Sequence, residues 1–167
     1  MAKGVIPCSH ELSLGAVGLQ AHDYVSFGFD KADVIICAGY DIVEYHPYLW
    51  HPNSDRKIIH IDSQPAEVDE HYIVEVGVVG NIGAALKSIS AEAHRHHGRE
   101  GEELHQVIIK EIHALEDDLG FPVKPQKIMC DLREVLNPED IVISDVGAHK
   151  MWMAHMWETE RSNTCII

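Results

Sequence analysis

Short continuous apolar runs recur along the chain, and longer stretches with a different spacing of apolar residues separate them. Five such runs lie at 32–39, 57–62, 73–76, 140–144 and 164–167. Each has the length of a strand. Most do not alternate apolar and polar residues, as a strand with one solvent-exposed face would. A run of this kind is typical of a strand buried on both faces. The pattern therefore predicts five strands, the third of them short.

The intervening stretches repeat their apolar residues at helical spacing. The first covers 80–89, where Ile82, Leu86 and Ile89 share one face and Asn81 precedes them as an N-cap. The second has its apolar face at Leu104, Ile108, Ile112, Leu115 and Leu119, and we expect Gly120 and Pro122 to end it. The third begins at Pro125, with a face formed by Ile128, Leu132, Val135 and Leu136. A fourth helix is predicted over 147–158.

Strands that alternate with helices indicate the α/β class, with a parallel sheet and flanking helices. The polar stretch 92–103 is the best candidate for a linker. The last predicted strand, 164–167, coincides with the end of the chain. We therefore expect the chain to be a fragment of a longer protein.

Composition and charge narrow the function. The chain is 46% hydrophobic and 24% charged, as a globular protein is, and its net charge is −14, from 27 acidic and 13 basic residues. Such an acidic surface argues against nucleic acid and against anionic membranes as partners. No run approaches the roughly 18 apolar residues of a spanning helix. Four widely spaced cysteines, with Cys37 and Cys165 expected to be buried thiols, indicate a cytoplasmic, reducing setting.

Candidate chemistry lies where parallel strands end, because ligands of open α/β sheets collect there. Asp62 follows Gly39 by about twenty residues, a spacing at which an acid can hold the ribose of a dinucleotide. The glycine-rich loop of that motif is missing, so a turn or cap role for Asp62 is favoured. The aromatic residues Tyr40, Tyr45, Tyr48 and Trp50 follow the first strand. Packing explains most of them, and nucleotide stacking is the alternative.

The thirteen histidines raise the question of a metal site. None of them forms a pair at the spacings that define zinc sites, and His94, His96 and His97 lie in the polar linker. We therefore predict no metal site in this chain.

The turn at Gly147, Ala148 and His149 follows the fourth strand and begins the last helix. A helix N-terminus presents free N–H groups that favour an anion, and glycine permits a close approach. A simple packing turn explains the same residues, and the residues alone favour it slightly.

Several ordered segments resemble a known family. They are KGVIP, SHELSLGAVGLQAHDY, ADVIICAGYDIVEYHPYLWHP, KIIHIDSQPAEVDEHY, VGNIGAAL and DIVISDVGAHKMWMAHMW. In this order they resemble the thiamine-diphosphate-dependent enzymes, and among these the large, catalytic subunit of acetolactate synthase.

The resemblance implies a partial, Rossmann-like central domain over 1–95, a linker and helix over 96–123, and the beginning of a second α/β domain over 124–167. It also implies that Gly147, Ala148 and His149 lie against the cofactor diphosphate, which reverses the preference for a packing turn. Thiamine diphosphate and Mg²⁺ are then the cofactors of the full-length parent. Neither is expected to be bound to this chain.

The family reaction decarboxylates pyruvate and joins the two-carbon unit to a second pyruvate. No segment of the chain resembles the family's activating glutamate or its magnesium-binding motif, so the resemblance implies no catalytic residue and no metal ligand here. The stretch from Tyr40 to Pro47 differs from that of flavin-binding members, and FAD is not expected. We therefore expect an inactive part of a carboligase, in a homo-oligomer with the remaining domains of the parent. The alternative is a stand-alone α/β binding or scaffold module.

Overall fold

The computed structural model describes residues 3–17, 26–43, 45–94 and 100–167. The chain divides into two compact units, one of residues 29–97 and one of residues 1–28 together with 98–167. We call the first the sheet unit and the second the helical unit. The domain bounds implied by the resemblance stay a prediction.

Three parallel strands form the sheet unit, in the order β1-β2-β3. They are β1 (Val34–Ala38), β2 (Lys57–Asp62) and β3 (Val74–Val79), and α2 (Ile82–Glu92) follows the last of them. A short helix α1 (Ser26–Lys31) precedes β1, and a 3-10 turn covers Pro47–Leu49. The predicted α/β class with a parallel sheet is therefore confirmed, and the third strand is longer than its apolar run suggested.

The main core cluster of the sheet unit lies on one face of the sheet. Ile35 and Cys37 of β1 and Ile58 of β2 are buried there, against the rings of Trp50 and Tyr72. Strand register explains this, because Ile35 pairs with Ile58 and Cys37 pairs with His60, so these side chains emerge on the same face.

Within its described residues from 100 onward, the helical unit contains three helices and a two-stranded parallel sheet. These are α3 (Glu100–Ile112), α4 (Pro125–Val135), β4 (Val142–Ile143), α5 (Ala148–Met156) and β5 (Cys165–Ile166). One core cluster belongs to α3, and the other joins Met129 of α4 to Met153 of α5 and to Trp157. Cys37 is buried as expected, whereas Cys165 is only partly buried, and all four cysteines are free thiols.

Residues 3–9, which we call the N-terminal strap, pack along the segment that follows α5. Cys8 N donates to Thr159 O at 2.9 Å, and Ser9 Oγ donates to Glu160 Oε2 at 2.6 Å. Gly4 is buried in this contact with φ +86°, and a Cβ there would lie 2.4 Å from Thr159 Cγ2. The strap needs glycine at this position because both the backbone conformation and the space exclude a side chain.

Three sequence expectations about the helical unit were wrong. The helix predicted to reach Leu119 ends at Ile112, and the Leu119 side chain is 93% exposed. Turns occupy 113–117, where local hydrogen bonds of His113 and Asp118 replace helical ones. Residues 100–103, predicted as linker, form the first turn of α3.

The third wrong expectation is the buried face of α4. Ile128 and Val135 are exposed, and Met129 is buried instead, with Leu132 and Leu136 packed beside it. The helix is rotated so that Met129 meets Met153 and Trp157. Contact with α5 therefore determines which face of α4 is buried. The helical spacing of the apolar residues alone does not determine it.

Candidate functional site

The predicted diphosphate turn lies at the carboxyl end of β4. Val142 N donates to Thr164 O and Ser144 N donates to Ile166 O, each at 2.9 Å, which holds β4 beside β5. Gly147 is the N-cap of α5. The structure therefore places Gly147, Ala148 and His149 where a parallel strand ends and a helix begins.

Gly147 has a backbone conformation that other residues rarely adopt, with φ +152°. The ring of His149 folds back over it, and a Cβ at position 147 would lie 2.7 Å from His149 Cε1 and 3.0 Å from Nδ1. A side chain at 147 would strain the backbone and displace the histidine ring. Glycine is therefore required by the shape of the turn itself.

The first turn of α5 has no side-chain cap. Val146 N, just before the turn, donates to Asp145 Oδ1 at 2.7 Å, and Lys150 N donates to Gly147 O at 3.0 Å. Gly147, Ala148 and His149 are all exposed. The amides of Ala148 and His149, at the start of the helix, have no acceptor within it, so they can donate to a bound anion.

Helix α2 shows what a self-capped N-terminus looks like in the same chain. Its N-cap Asn81 accepts a hydrogen bond from Ala84 N through Oδ1 at 2.9 Å. That bond confirms the predicted cap and satisfies one free amide of α2. The N-cap of α5 is Gly147, which has no side chain that could accept such a hydrogen bond.

The opposite end of α5 is held by a cation. Lys3 of the N-terminal strap donates from Nζ to Ala154 O at 2.8 Å. Burial lowers the pKa of Lys3, and nearby Cys8, Cys165 and Glu158 oppose that shift. A positive charge at a helix C-terminus complements the helix dipole and leaves the positive end facing Gly147.

The sheet unit has a cleft at the carboxyl ends of β1 and β2. It has a volume of about 240 Å³, and its lining includes Tyr40, Asp41, Asp62 and Glu67. Asp62 Oδ1 accepts from Gln64 N at 3.1 Å and from Ser63 Oγ at 3.1 Å. These hydrogen bonds, that of Gln64 foremost, lower the pKa of Asp62. Asp62 therefore stabilises its own turn, as the favoured sequence interpretation states.

Buried polar groups form the floor of this cleft. Tyr72 and His60 are both buried, and the Tyr72 hydroxyl lies 2.8 Å from His60 Nδ1. Burial raises the pKa of Tyr72 and also raises the pKa of Cys37. Tyr72 and Cys37 therefore stay neutral near pH 7 and serve as packed core rather than as reactive side chains.

The aromatic residues after β1 pack inward. Tyr40 lies 5.8 Å from Trp50 and 5.3 Å from Tyr72 between ring centroids, and its hydroxyl donates to Tyr45 O at 2.6 Å. Burial raises the pKa of Tyr40 to about 12. The packing interpretation of Tyr40 and Trp50 is what the structure shows, whereas Tyr48 is exposed beside His71.

The histidines within the described residues make separate local contacts. His51 Nδ1 lies 2.8 Å from His71 O, and His105 Nδ1 lies 2.7 Å from Ser13 O. In the described part of the chain, no three His, Cys, Asp or Glu side chains are arranged to hold a metal ion. His22, His96 and His97 lie outside the described residues.

Two structural features were not predicted from the sequence. One is the contact of Lys3 with α5, and the other is His113, which lies between two glutamates. The contacts of Lys3 with Ala154 and of His113 with Glu158 join residues far apart in the chain, and no spacing rule links them. No helix of the described ranges is long and apolar enough to cross a membrane.

The fold places the chain in the class of α/β proteins with parallel sheets and flanking helices. Comparison with known proteins defines the family. The model of the thiamine pyrophosphate enzyme central domain matches residues 1–89. The chain therefore belongs to the thiamine pyrophosphate (thiamine diphosphate) enzyme family.

Relatives extend the similarity over nearly the whole chain. A probable acetolactate synthase large subunit of Methanocaldococcus jannaschii is 30% identical over 178 residues, which cover 96% of this chain and 29% of the relative. The acetolactate synthase of Bacillus subtilis is 28% identical over 92% of this chain and 28% of its own length. The catabolic acetolactate synthase of Raoultella terrigena is 27% identical over the same shares. The chain thus spans less than a third of these relatives.

Proposed function

We propose that the chain is part of an acetolactate-synthase-like enzyme, in which Gly147, Ala148 and His149 hold the diphosphate of thiamine diphosphate. The observation that carries this is the N-terminus of α5, which follows a parallel strand, is exposed and has no side-chain cap. The three relatives described above are named acetolactate synthase or probable acetolactate synthase, and these names support the choice of reaction.

The role of the turn follows from its local structure. The α5 amides and the helix dipole favour negative charge at this end. Gly147 lets phosphate oxygens approach the backbone closely, because no side chain projects there. The imidazole of His149, folded beside Gly147, would donate an N–H to a phosphate oxygen. Lys3 at the other end of α5 would keep the helix in place.

Bound thiamine diphosphate supplies the thiazolium carbon on which a 2-oxo acid such as pyruvate is decarboxylated and then joined to a second molecule. The part of this chain that we assign to that chemistry binds and orients the cofactor. We assign no catalytic acid or base and no Mg²⁺ ligand to the described residues.

We further propose that the cleft of the sheet unit does not take FAD. Asp41, Asp62 and Glu67 line it, and a diphosphate placed there would meet their carboxylates. The rings of Tyr40 and Tyr72 already pack beside it, and about 240 Å³ is little room for a dinucleotide. A titration of FAD that showed binding to this unit would contradict the proposal.

The 167-residue chain by itself is proposed to be inactive, since it spans less than a third of its relatives. We place the protein in the cytoplasm, where its free thiols would stay reduced. The remaining domains of a parent enzyme, and further copies of it, are the proposed partners.

The deciding experiment compares two polypeptides, the 167-residue chain and the longest product of the reading frame that contains it. Each is assayed for acetolactate from pyruvate with thiamine diphosphate and Mg²⁺. We expect turnover by the longer product and at least about 10²-fold less by the chain, the factor that an absent acid–base group alone accounts for. Equal turnover would contradict the inactivity. A longest product that neither turns over pyruvate nor binds thiamine diphosphate would instead support the scaffold module.

A further inference from the structure

His113 lies between two carboxylates that come from different parts of the helical unit. It directly follows α3, and its Nδ1 is 2.7 Å from Glu116 Oε2 in the next turn. Its Nε2 is 3.2 Å from Glu158 Oε1, just after the C-cap of α5. One imidazole ring therefore joins the end of α3 to the segment that follows α5.

This geometry selects one protonation state of the ring. A carboxylate oxygen only accepts hydrogen bonds, and a neutral imidazole has one N–H to donate. Only the imidazolium, with both nitrogens protonated, can donate to Glu116 and Glu158 together. In the neutral ring, one nitrogen lone pair would face a carboxylate oxygen.

The surroundings of the ring favour the cation. A cleft of about 330 Å³ brings Glu116 and Asp117 from the turn after α3 near Cys130, Asp131, Arg133 and Glu134 of α4, and near Glu158. Five of these groups are carboxylates, and Arg133 is the opposing charge. Burial acts to lower the pKa of His113, but the hydrogen bond to Glu116 and the charge and hydrogen bond of Glu158 outweigh it and raise the pKa.

Glu158 begins a segment that carries several tertiary contacts. Its carbonyl accepts from Arg133 Nη1 at 3.4 Å, and Thr159 N donates to Cys8 Sγ at 3.3 Å. The N-terminal strap is bonded to Thr159 and Glu160. Anything that loosens Glu158 therefore loosens residues 158–161 and the strap that lies on them.

We propose that His113 is a pH-sensitive latch, which holds the segment after α5 to the end of α3 when protonated and releases it when neutral. The contact with Glu158 is the one lost on deprotonation, because it is the longer of the two and joins distant residues. The contact with Glu116 is short and local, so the remaining proton stays on Nδ1.

The direction of the pH dependence follows from the raised pKa. The latch contributes fully below the pKa of an unfolded histidine, about 6.5, and its contribution is lost as the pH rises through the higher folded value. Stability of this contact thus falls toward alkaline pH. The ring is more than a third exposed, so solvent moderates the effect.

The first measurement is an NMR titration of the histidine rings of the 167-residue chain. We expect His113 to titrate above 6.5, the ordinary value for histidine, because its pKa is raised. Glu158→Gln should lower the titration midpoint of His113, and His94→Gln, which changes an exposed histidine of the sheet unit, should leave that midpoint unchanged. A His113 midpoint at or below about 6.5 would overturn the proposal.

The second measurement is amide hydrogen exchange of residues 159–161 at pH 6 and pH 8.5, corrected for the intrinsic exchange rate. Protection should fall about two- to fivefold at the higher pH, the range that an exposed ion pair supports. His113→Gln should show the lower protection at both values, and His94→Gln should behave as the wild type does. Glu158→Gln serves as the second variant if His113→Gln fails to fold. An unchanged pH dependence in the variants that remove the latch would refute it.

Discussion

At the scale of single residues, Gly147 and His149 act as one structural element. Glycine at 147 permits φ +152°, and the space of its missing side chain is filled by the His149 ring. The effect of a substitution at one position therefore depends on the residue at the other. Additivity fails for neighbours in such contact.

We predict that Gly147→Val weakens thiamine diphosphate binding to the longer reading-frame product more than His149→Ala does. In the proposed complex His149 would contribute one charge-assisted hydrogen bond, which is worth roughly 1.5–3 kcal/mol. The valine strains the backbone, displaces the ring and blocks the approach of phosphate. Calorimetric titration of the cofactor into each variant measures the order.

The double variant Gly147→Val/His149→Ala is the matched control. It removes the collision with the ring and leaves the strained backbone, so its loss of affinity should be smaller than the sum of the two single losses. If both single variants bind the cofactor as the wild type does, the turn only shapes the backbone and the diphosphate assignment is wrong.

At the scale of elements, the N-terminal strap is an unexpected part of the helical unit. Residues 1–89 match the central-domain model, yet residues 1–28 cluster with 98–167. The contacts of the N-terminal strap explain this clustering. The hydrogen bonds of Cys8 and Ser9, and the close fit of Gly4 against Thr159, attach the strap to the segment after α5.

We predict that Gly4→Ala destabilises the helical unit more than Gly15→Ala does. The two glycines have φ +86° and φ +87°, but a Cβ at 15 meets nothing within 4 Å. Gly15→Ala should cost about 1–2 kcal/mol for its left-handed backbone. Gly4→Ala should cost about 1–3 kcal/mol more, the range seen for overpacked cores. Urea unfolding of both variants measures the difference.

Thr159→Ser provides the test of cause, because it deletes the methyl group that a Cβ at position 4 would strike. In that background the extra cost of Gly4→Ala should largely disappear. Equal unfolding free energies for the two alanine variants would show that the strap is not tightly packed.

At the scale of the whole molecule, the chain exposes much apolar surface for its size. Val34, Ile36 and Val76 are exposed on the face of the three-stranded sheet opposite its core, and in the helical unit Phe121 is 96% exposed. Contiguous apolar surface of this kind favours association. The net charge of −14 opposes it.

We predict that the 167-residue chain self-associates at tens of micromolar, and more strongly in 0.5 M than in 0.05 M NaCl, because salt screens the repulsion. Ile36→Asp should weaken the association, whereas Val43→Asp, in an exposed loop, should weaken it much less. Sedimentation that shows only monomer at both salt concentrations would contradict this.

The positions of the strands could be predicted from the sequence, although the bounds of several differ. The run at 57–62 became β2 unchanged, and the run at 32–39 contains β1, because an apolar run of strand length is typical of a buried strand in an α/β protein. Helix starts were also predictable where a local signal exists. Asn81 caps α2, and Pro125 begins α4.

Helix ends and helix faces could not be predicted so well. Leu115 and Leu119 continue the apolar spacing of α3, yet the helix stops at Ile112, where turns bonded through His113 and Asp118 take over. The position of the turn at 147–149, between β4 and α5, was predictable from the apolar run before it and from its glycine. The fold of His149 over Gly147 was not.

The sequence by itself thus determined the α/β class, the strands and the place of the turn at 147–149, because each follows from neighbours within a few residues. Tertiary structure alone decided which face of α4 is buried, that the strap belongs to the helical unit, and that His113 reaches Glu158. Those outcomes depend on contacts between residues tens of positions apart. Many pairings satisfy the same local pattern, and only the packed chain selects one of them.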